Sequence, residues 1–130
     1  MILGLGCDIV NIERINKSKD FRQHFKQRIL GEAERAEMQK MPLTDDKAEA
    51  SCLAKYYAGK EAFAKALGTG FRDGLFLKDI QILHDALGKP QLSLSGEAEK
   101  SLRRLSANAK THITLSDDFP YAQAVVIIEE

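Results

Sequence analysis

One segment limits how this chain can fold. From about Lys47 to Leu67 the sequence is dominated by Ala, Leu, Lys and Glu, all good helix formers, and it reads as one long helix. Its start is marked by Thr44, Asp45 and Asp46 as N-cap candidates, with Glu49 three residues after Asp46 in the capping-box position. Its end is marked by Gly68, because a left-handed cap costs glycine little. The other elements have to be arranged around this helix.

Ahead of it, Ile2 to Ile9 is apolar with small residues and reads as a buried strand. Gly4 and Gly6 weaken that strand but permit close backbone approach. Asn11 can cap a helix whose first turn holds Glu13. From Ile12 to Leu30 the apolar residues fall at roughly helical spacing, with a break expected near Ser18 and Asp20. The opposite face is basic: Arg14, Lys17, Lys19, Arg22, Lys26 and Arg28. Gly31 to Met41 reads as a short charged helix that stops before Pro42. After the long helix, Asp79 to His84 and Gln91 to Ser95 pair as strands around the turn Asp85 to Pro90. Gly96 to Ser106 is an amphipathic helix. Thr111 to Ser116 and Ala122 to Ile128 form two closing strands around an Asp-Asp-Phe-Pro turn. This order predicts an α+β fold with a mainly antiparallel sheet packed with helices.

Length and charge narrow the function classes. At 130 residues the chain is expected to be a single domain, residues 1–130. Lys+Arg and Asp+Glu are both 19, so the basic excess of a nucleic-acid protein is missing. No apolar run is long enough to span a membrane, and Met1 to Leu5 lacks the basic flank of a signal peptide. Cys7 and Cys52 form no CxxC and read as reduced core thiols of a cytoplasmic protein.

The chemistry concentrates in two segments. Gly6-Cys7-Asp8 places a carboxylate at the end of the first strand. Lys60-Glu61-Ala62-Phe63-Ala64-Lys65-Ala66-Leu67-Gly68-Thr69-Gly70 places a carboxylate and two lysines on the long helix before a glycine turn. Separately, Asp8 reads equally as a turn residue, and Glu61 with Lys65 as a surface ion pair worth about 0.3–0.5 kcal/mol. Together they fit a divalent-cation site. Mg²⁺ is usually held by one or two carboxylates plus substrate phosphates. Asp8 and Glu61 can supply the carboxylates, and Lys65 and the lysines before it can neutralise phosphate oxygens. The Gly68-Thr69-Gly70 turn can bring backbone N–H groups to a phosphate.

These residues resemble the small bacterial 4′-phosphopantetheinyl transferases, the holo-[acyl-carrier-protein] synthase type. The first family motif, G-x-D followed by five residues and R, is matched by Gly6, Asp8 and Arg14. The second, K-E-A-x-x-K-A-x-G-T-G, is matched by Lys60-Glu61-Ala62, Lys65-Ala66 and Gly68-Thr69-Gly70. The likeness continues through Gly88-Lys89-Pro90, His112 to Ser116 and Tyr121 to Ile127. It implies the transferase fold and transfer of the phosphopantetheine arm of coenzyme A to a serine of apo acyl carrier protein, in support of fatty acid biosynthesis. Adenosine 3′,5′-bisphosphate would be released. It further implies Mg²⁺ on Asp8 and Glu61, with Glu61 orienting or deprotonating the serine, directly or through a water, and Lys65 contacting the phosphates. Lys47, Gly68 and His112 match positions at the nucleotide end. The resemblance assigns the acidic carrier to the basic face, Arg14 first and then Arg22 and Arg28. It also implies a homotrimer with active sites between neighbouring subunits.

Two positions depart from the family pattern. Tyr56 stands where relatives often carry arginine, which removes a cation that can touch a coenzyme A phosphate. Asp117 stands where many carry histidine. Two other readings compete. A non-catalytic phosphate binder gains nothing from two carboxylates beside its anion. The common nucleoside-triphosphate enzymes need a Walker A segment that this chain lacks.

Overall fold

The computed structural model describes residues 1–72 and 74–130. The element order is β1 (Ile2–Asn11), α1 (Lys19–Ile29), α2 (Glu32–Gln39), α3 (Asp46–Leu67), β2 (Ile80–His84), β3 (Pro90–Leu94), α4 (Gly96–Leu105), β4 (Lys110–Asp118) and β5 (Tyr121–Glu129). The long helix is α3, with 22 residues. Asp45 caps it, its Oδ1 accepting from the Ala48 N–H at 2.7 Å, and Gly68 ends it in the left-handed region at φ 84°. The break expected before α1 is also present. Asn11 Oδ1 accepts from the Glu13 N–H to start a 3₁₀ turn over Ile12–Arg14, and Ser18 Oγ accepts from the Phe21 N–H to start α1.

The strands are all antiparallel, as the α+β reading requires, but they divide into two sheets. One is ordered β1-β5-β4 and the other is the β2-β3 hairpin. β1 runs two residues beyond the expected end at Ile9, because Val10 and Asn11 still pair with Ala122 and Tyr121. β4 and β5 likewise extend into the Asp-Asp-Phe-Pro segment, with Asp118 opposite Tyr121.

α3 lies across the inner face of the three-stranded sheet. The central strand β5 turns Ala122, Ala124, Val126 and Ile128 inward, all of them buried. On β1 the inner positions are Gly4 and Gly6, and the fit is tight. A Cβ on Gly4 would stand 2.0 Å from the Ala66 carbonyl oxygen, and one on Gly6 would stand 1.9 Å from that of Ala62. The alternate residues Leu5, Cys7 and Ile9 therefore face outward. That corrects the reading of Cys7 as a core thiol: it is exposed, whereas Cys52 is buried and its thiol is pushed up to about 11 by burial.

Two buried cations tie the helices together. Arg22 pairs with Asp46 at 2.8 Å and Glu49 at 3.4 Å, joining α1 to the start of α3. Lys60 is fully buried and joins Glu34 of α2 at 2.7 Å. Burial raises the Glu34 carboxyl and lowers the Lys60 ammonium, and their mutual attraction opposes both shifts. Among the described residues, no helix is long and apolar enough to cross a membrane.

Because backbone faces backbone at Gly6, Gly6→Ala should destabilise the protein by about 3 kcal/mol through overpacking. Thermal unfolding checks this: the expected drop in Tm is about 10 °C, and an unchanged Tm would show that β1 and α3 are not in this contact.

Candidate active site

The close approach of β1 to α3 decides where Asp8 lies. Asp8 is two residues beyond Gly6 and so leaves the sheet on the same side, next to the last turns of the helix. There Lys65 Nζ donates to Asp8 Oδ1 at 2.9 Å and to the Cys7 carbonyl at 2.9 Å. Glu61 sits one helical turn before Lys65. The Lys65 ammonium is held above the usual lysine range, first by the Asp8 hydrogen bond and then by the charges of Asp8 and Glu61, with slight burial opposing. Asp8 is the carboxylate in direct contact with this ammonium, and Glu61 acts on it at longer range. Tyr57, one turn before Glu61, has its hydroxyl pushed up by burial first and by the Glu61 carboxylate second.

This donor set fits a hard divalent cation that completes its coordination with substrate oxygens. It offers carboxylate oxygens from a strand and from a helix, both partly open, and a lysine beside them. Gly68 and Gly70 follow at φ 84° and 67°, and beyond their chain neighbours no atom among the described residues lies within 4 Å of where either Cβ would stand. Their own N–H groups are taken by the Lys65 carbonyl at 3.0 Å and the Ala64 carbonyl at 3.2 Å, which corrects the reading of these two as backbone donors to a phosphate: they close the helix instead.

Two clefts flank α3. One, of about 490 Å³, is lined by Glu61 together with Arg28, Phe71, Leu75, Leu77 and Lys78. The other, of about 670 Å³, contains Lys47, Lys55, Tyr56, Gly88, Pro90 and Asp117. In this second cleft the Lys47 ammonium lies 3.9 Å from the Phe119 ring centroid, and Lys55 pairs with Asp117 at 3.2 Å. Tyr56 is buried there, with its hydroxyl close to the Cys52 thiol. Lys55 is the cation nearest in sequence to the position where relatives carry arginine. His112 is elsewhere, exposed on β4 with Nε2 3.2 Å from Glu129 Oε1.

The basic face is partly rearranged relative to expectation. Arg14, Lys17, Lys19 and Arg28 are exposed. Arg22 is not on that surface: it is 2% exposed, because its guanidinium is drawn inward by Asp46, Glu49 and the Asn16 Oδ1. Lys60 is likewise withdrawn from phosphate contact by Glu34. Arg14 and Arg28 instead line a small cleft with Tyr57, Phe21 and Phe25. Sequence reasoning passed over Tyr57. Its position four residues before Glu61, on the same helix face, is the signal that could have found it.

A strand-borne carboxylate, a helix-borne carboxylate and a lysine thus lie near a glycine turn, in a fold that its relatives assign to a transferase class. Residues 4–124 match the family model of the 4′-phosphopantetheinyl transferase superfamily, and the chain belongs to that superfamily. Within it the chain belongs with the holo-[acyl-carrier-protein] synthases. It is 48% identical to the synthase of Erythrobacter litoralis over 133 aligned positions, covering 99% of this chain and 97% of that protein. The crystal structure of the Neisseria meningitidis synthase superposes with a TM-score of 0.82 at 37% identity, over 100% of both chains. That of the Bacillus anthracis synthase in complex with coenzyme A (3′,5′-ADP) gives 0.79 at 32%, over 100% of this chain and 98% of that one.

The Lys65–Asp8 contact has a pH signature. A lysine pKa raised by folding adds stability that is fully present below the unfolded value and is lost as pH rises through the raised folded value. In metal-free protein, Asp8→Asn should return the Lys65 ammonium toward the ordinary lysine range, read by NMR titration of the lysine side chains. A Lys65 titration identical to wild type would mean that Asp8 is not its partner.

Proposed function

We propose that this chain moves the 4′-phosphopantetheine arm of coenzyme A onto a serine of apo acyl carrier protein and releases adenosine 3′,5′-bisphosphate. The observation that carries this reading is the convergence of Asp8, Glu61 and Lys65 at one end of α3. Membership of the synthase family and the coenzyme A complex of the Bacillus anthracis relative support the choice of substrate.

The residues divide the work by position. Lys47 and Lys55 supply positive charge in the larger cleft for the nucleotide end of coenzyme A, with Gly68 leaving room for the pyrophosphate beside Lys65. His112 is assigned to the nucleotide end as well, its exposed face on β4 being completed by a neighbouring subunit. The serine oxygen attacks the β-phosphorus. A new O–P bond forms as the bond to the α-phosphate oxygen breaks, and Glu61 takes the serine proton. Lys65 offsets the charge that builds on the departing bisphosphate. Asp8 and Glu61 would hold Mg²⁺, which supplies charge neutralisation across the pyrophosphate when bound. Arg14 and Arg28 present fixed positive charge to an acidic carrier beside Glu61. Arg22, buried, contributes to that face by holding α1 in place.

Residues 1–130 act as a single transferase domain in the cytoplasm, and three copies assemble. Support for assembly lies on the outer face of the three-stranded sheet, where Leu5 is 66% and Ile9 63% exposed, beside Val125 and Ile127 on β5. An apolar sheet face of this kind marks an interaction surface, and copies of this chain are its occupant.

The test is a carrier-mass assay with coenzyme A, Mg²⁺ and apo acyl carrier protein. A phosphopantetheine-sized gain is expected, and Asp8→Ala and Glu61→Ala should each slow it by at least about 100-fold. No gain with several carriers would refute the reading, and unaffected variants would remove these carboxylates from the site. The active species should sediment as a trimer; an active monomer would refute the assembly.

A further inference from the structure

The Lys60–Glu34 pair takes no part in the chemistry above, yet Lys60 adjoins Glu61 in the chain. An ammonium has three N–H donors, and here each has its own acceptor: Glu34 Oε1 at 2.7 Å, the Leu77 carbonyl at 3.0 Å and the Ile80 carbonyl at 2.5 Å. Glu34 is equally committed. Its Oε1 also accepts from the Gly31 N–H at 3.0 Å, and its Oε2 accepts from the Ile82 N–H at 2.9 Å. One buried knot therefore joins α2, α3, the turn at Leu77–Asp79 and the start of β2.

That turn has a second side. Phe76, Leu77 and Lys78 form a wall of the cleft that contains Glu61 and Arg28. Successive helical residues project about 100° apart, so Lys60 grips the wall from inside while Glu61 faces the cleft. Stability alone does not call for an ion pair here, since well-packed apolar residues often replace a buried pair without loss. What the pair adds is direction, with three fixed hydrogen bonds from one atom.

We propose that Lys60 and Glu34 are positioning residues that hold the Phe76–Lys78 wall against α3 and thereby set how the carrier protein docks beside Glu61. The proposal rests on the transfer reaction above. The nucleotide end of coenzyme A is assigned to the cleft of Lys47 and Lys55 and its pyrophosphate to Lys65, none of which lines the cleft walled by Phe76–Lys78, so loosening this wall weakens recognition of the carrier more than recognition of coenzyme A.

Steady-state kinetics and hydrogen exchange test this on two variants, the isosteric Glu34→Gln and the double substitution Glu34→Met with Lys60→Met. In each, KM for the carrier should rise about ten-fold while KM for coenzyme A stays within about two-fold of wild type. Amide exchange across residues 76–80 should quicken about ten-fold, with β5 unchanged. Equal changes in both KM values, or no change in either, would overturn the docking role. Unchanged exchange at residues 76–80 would overturn the positioning role. Exchange needs no substrate, so a wild-type protein inactive in transfer would refute the reaction while leaving the wall measurement decisive. If the double variant does not fold, Glu34→Gln carries both readouts.

Discussion

The contact between β1 and α3 sets the rest of the structure. Gly4 and Gly6 let the strand backbone lie against the Ala66 and Ala62 carbonyls at a separation no side chain permits. Asp8, two residues on, is thereby delivered to Lys65. An alanine-rich helix face and a glycine-bearing strand are complementary surfaces, and their fit brings residues 57 positions apart into hydrogen-bond distance. Both carboxylates stand on regular elements, Asp8 on β1 and Glu61 on α3, so their positions are set by the packing of strand on helix.

The same helix uses its charged residues in opposite ways. Lys60 faces inward and is spent wholly on Glu34 and two carbonyls, whereas Glu61 lines a cleft and Lys65 is exposed beside Asp8. Arg22 repeats the pattern on α1, turning inward to Asp46 and Glu49 while Arg14 and Arg28 stay exposed. In each case one cation of the segment is drawn inward as a tether between helices while others stay exposed.

This division explains what was legible in the sequence. Element order, the ends of α3, the break before α1 and the closing strands follow from caps, glycines and periodicity, which are local. Asp8, Glu61 and Lys65 could be picked out because motif spacing places them on a strand and one helix face, although Asp8 lies within β1, opposite Ala124, and not at its end. The inward turn of Lys60 and Arg22 could not, because their partners lie 26 residues away for Lys60 and on a separate helix for Arg22. Helical spacing gives the relative orientation of residues, not which face is covered. Cys7 was misplaced for a related reason: β1 is apolar on both faces, with Leu5 and Ile9 outside, so alternation carries no sign of which side is the core.

If Asp8 and Glu61 form one site where β1 and α3 meet, they share one divalent cation. Mn²⁺ binding followed by electron paramagnetic resonance, with and without coenzyme A, tests it most directly. Wild-type protein should bind Mn²⁺ more tightly with coenzyme A present, and Asp8→Asn and Glu61→Gln should each weaken that binding by about ten-fold or more. Wild-type affinity in either variant, or no effect of coenzyme A on the wild type, would contradict a shared metal–pyrophosphate site.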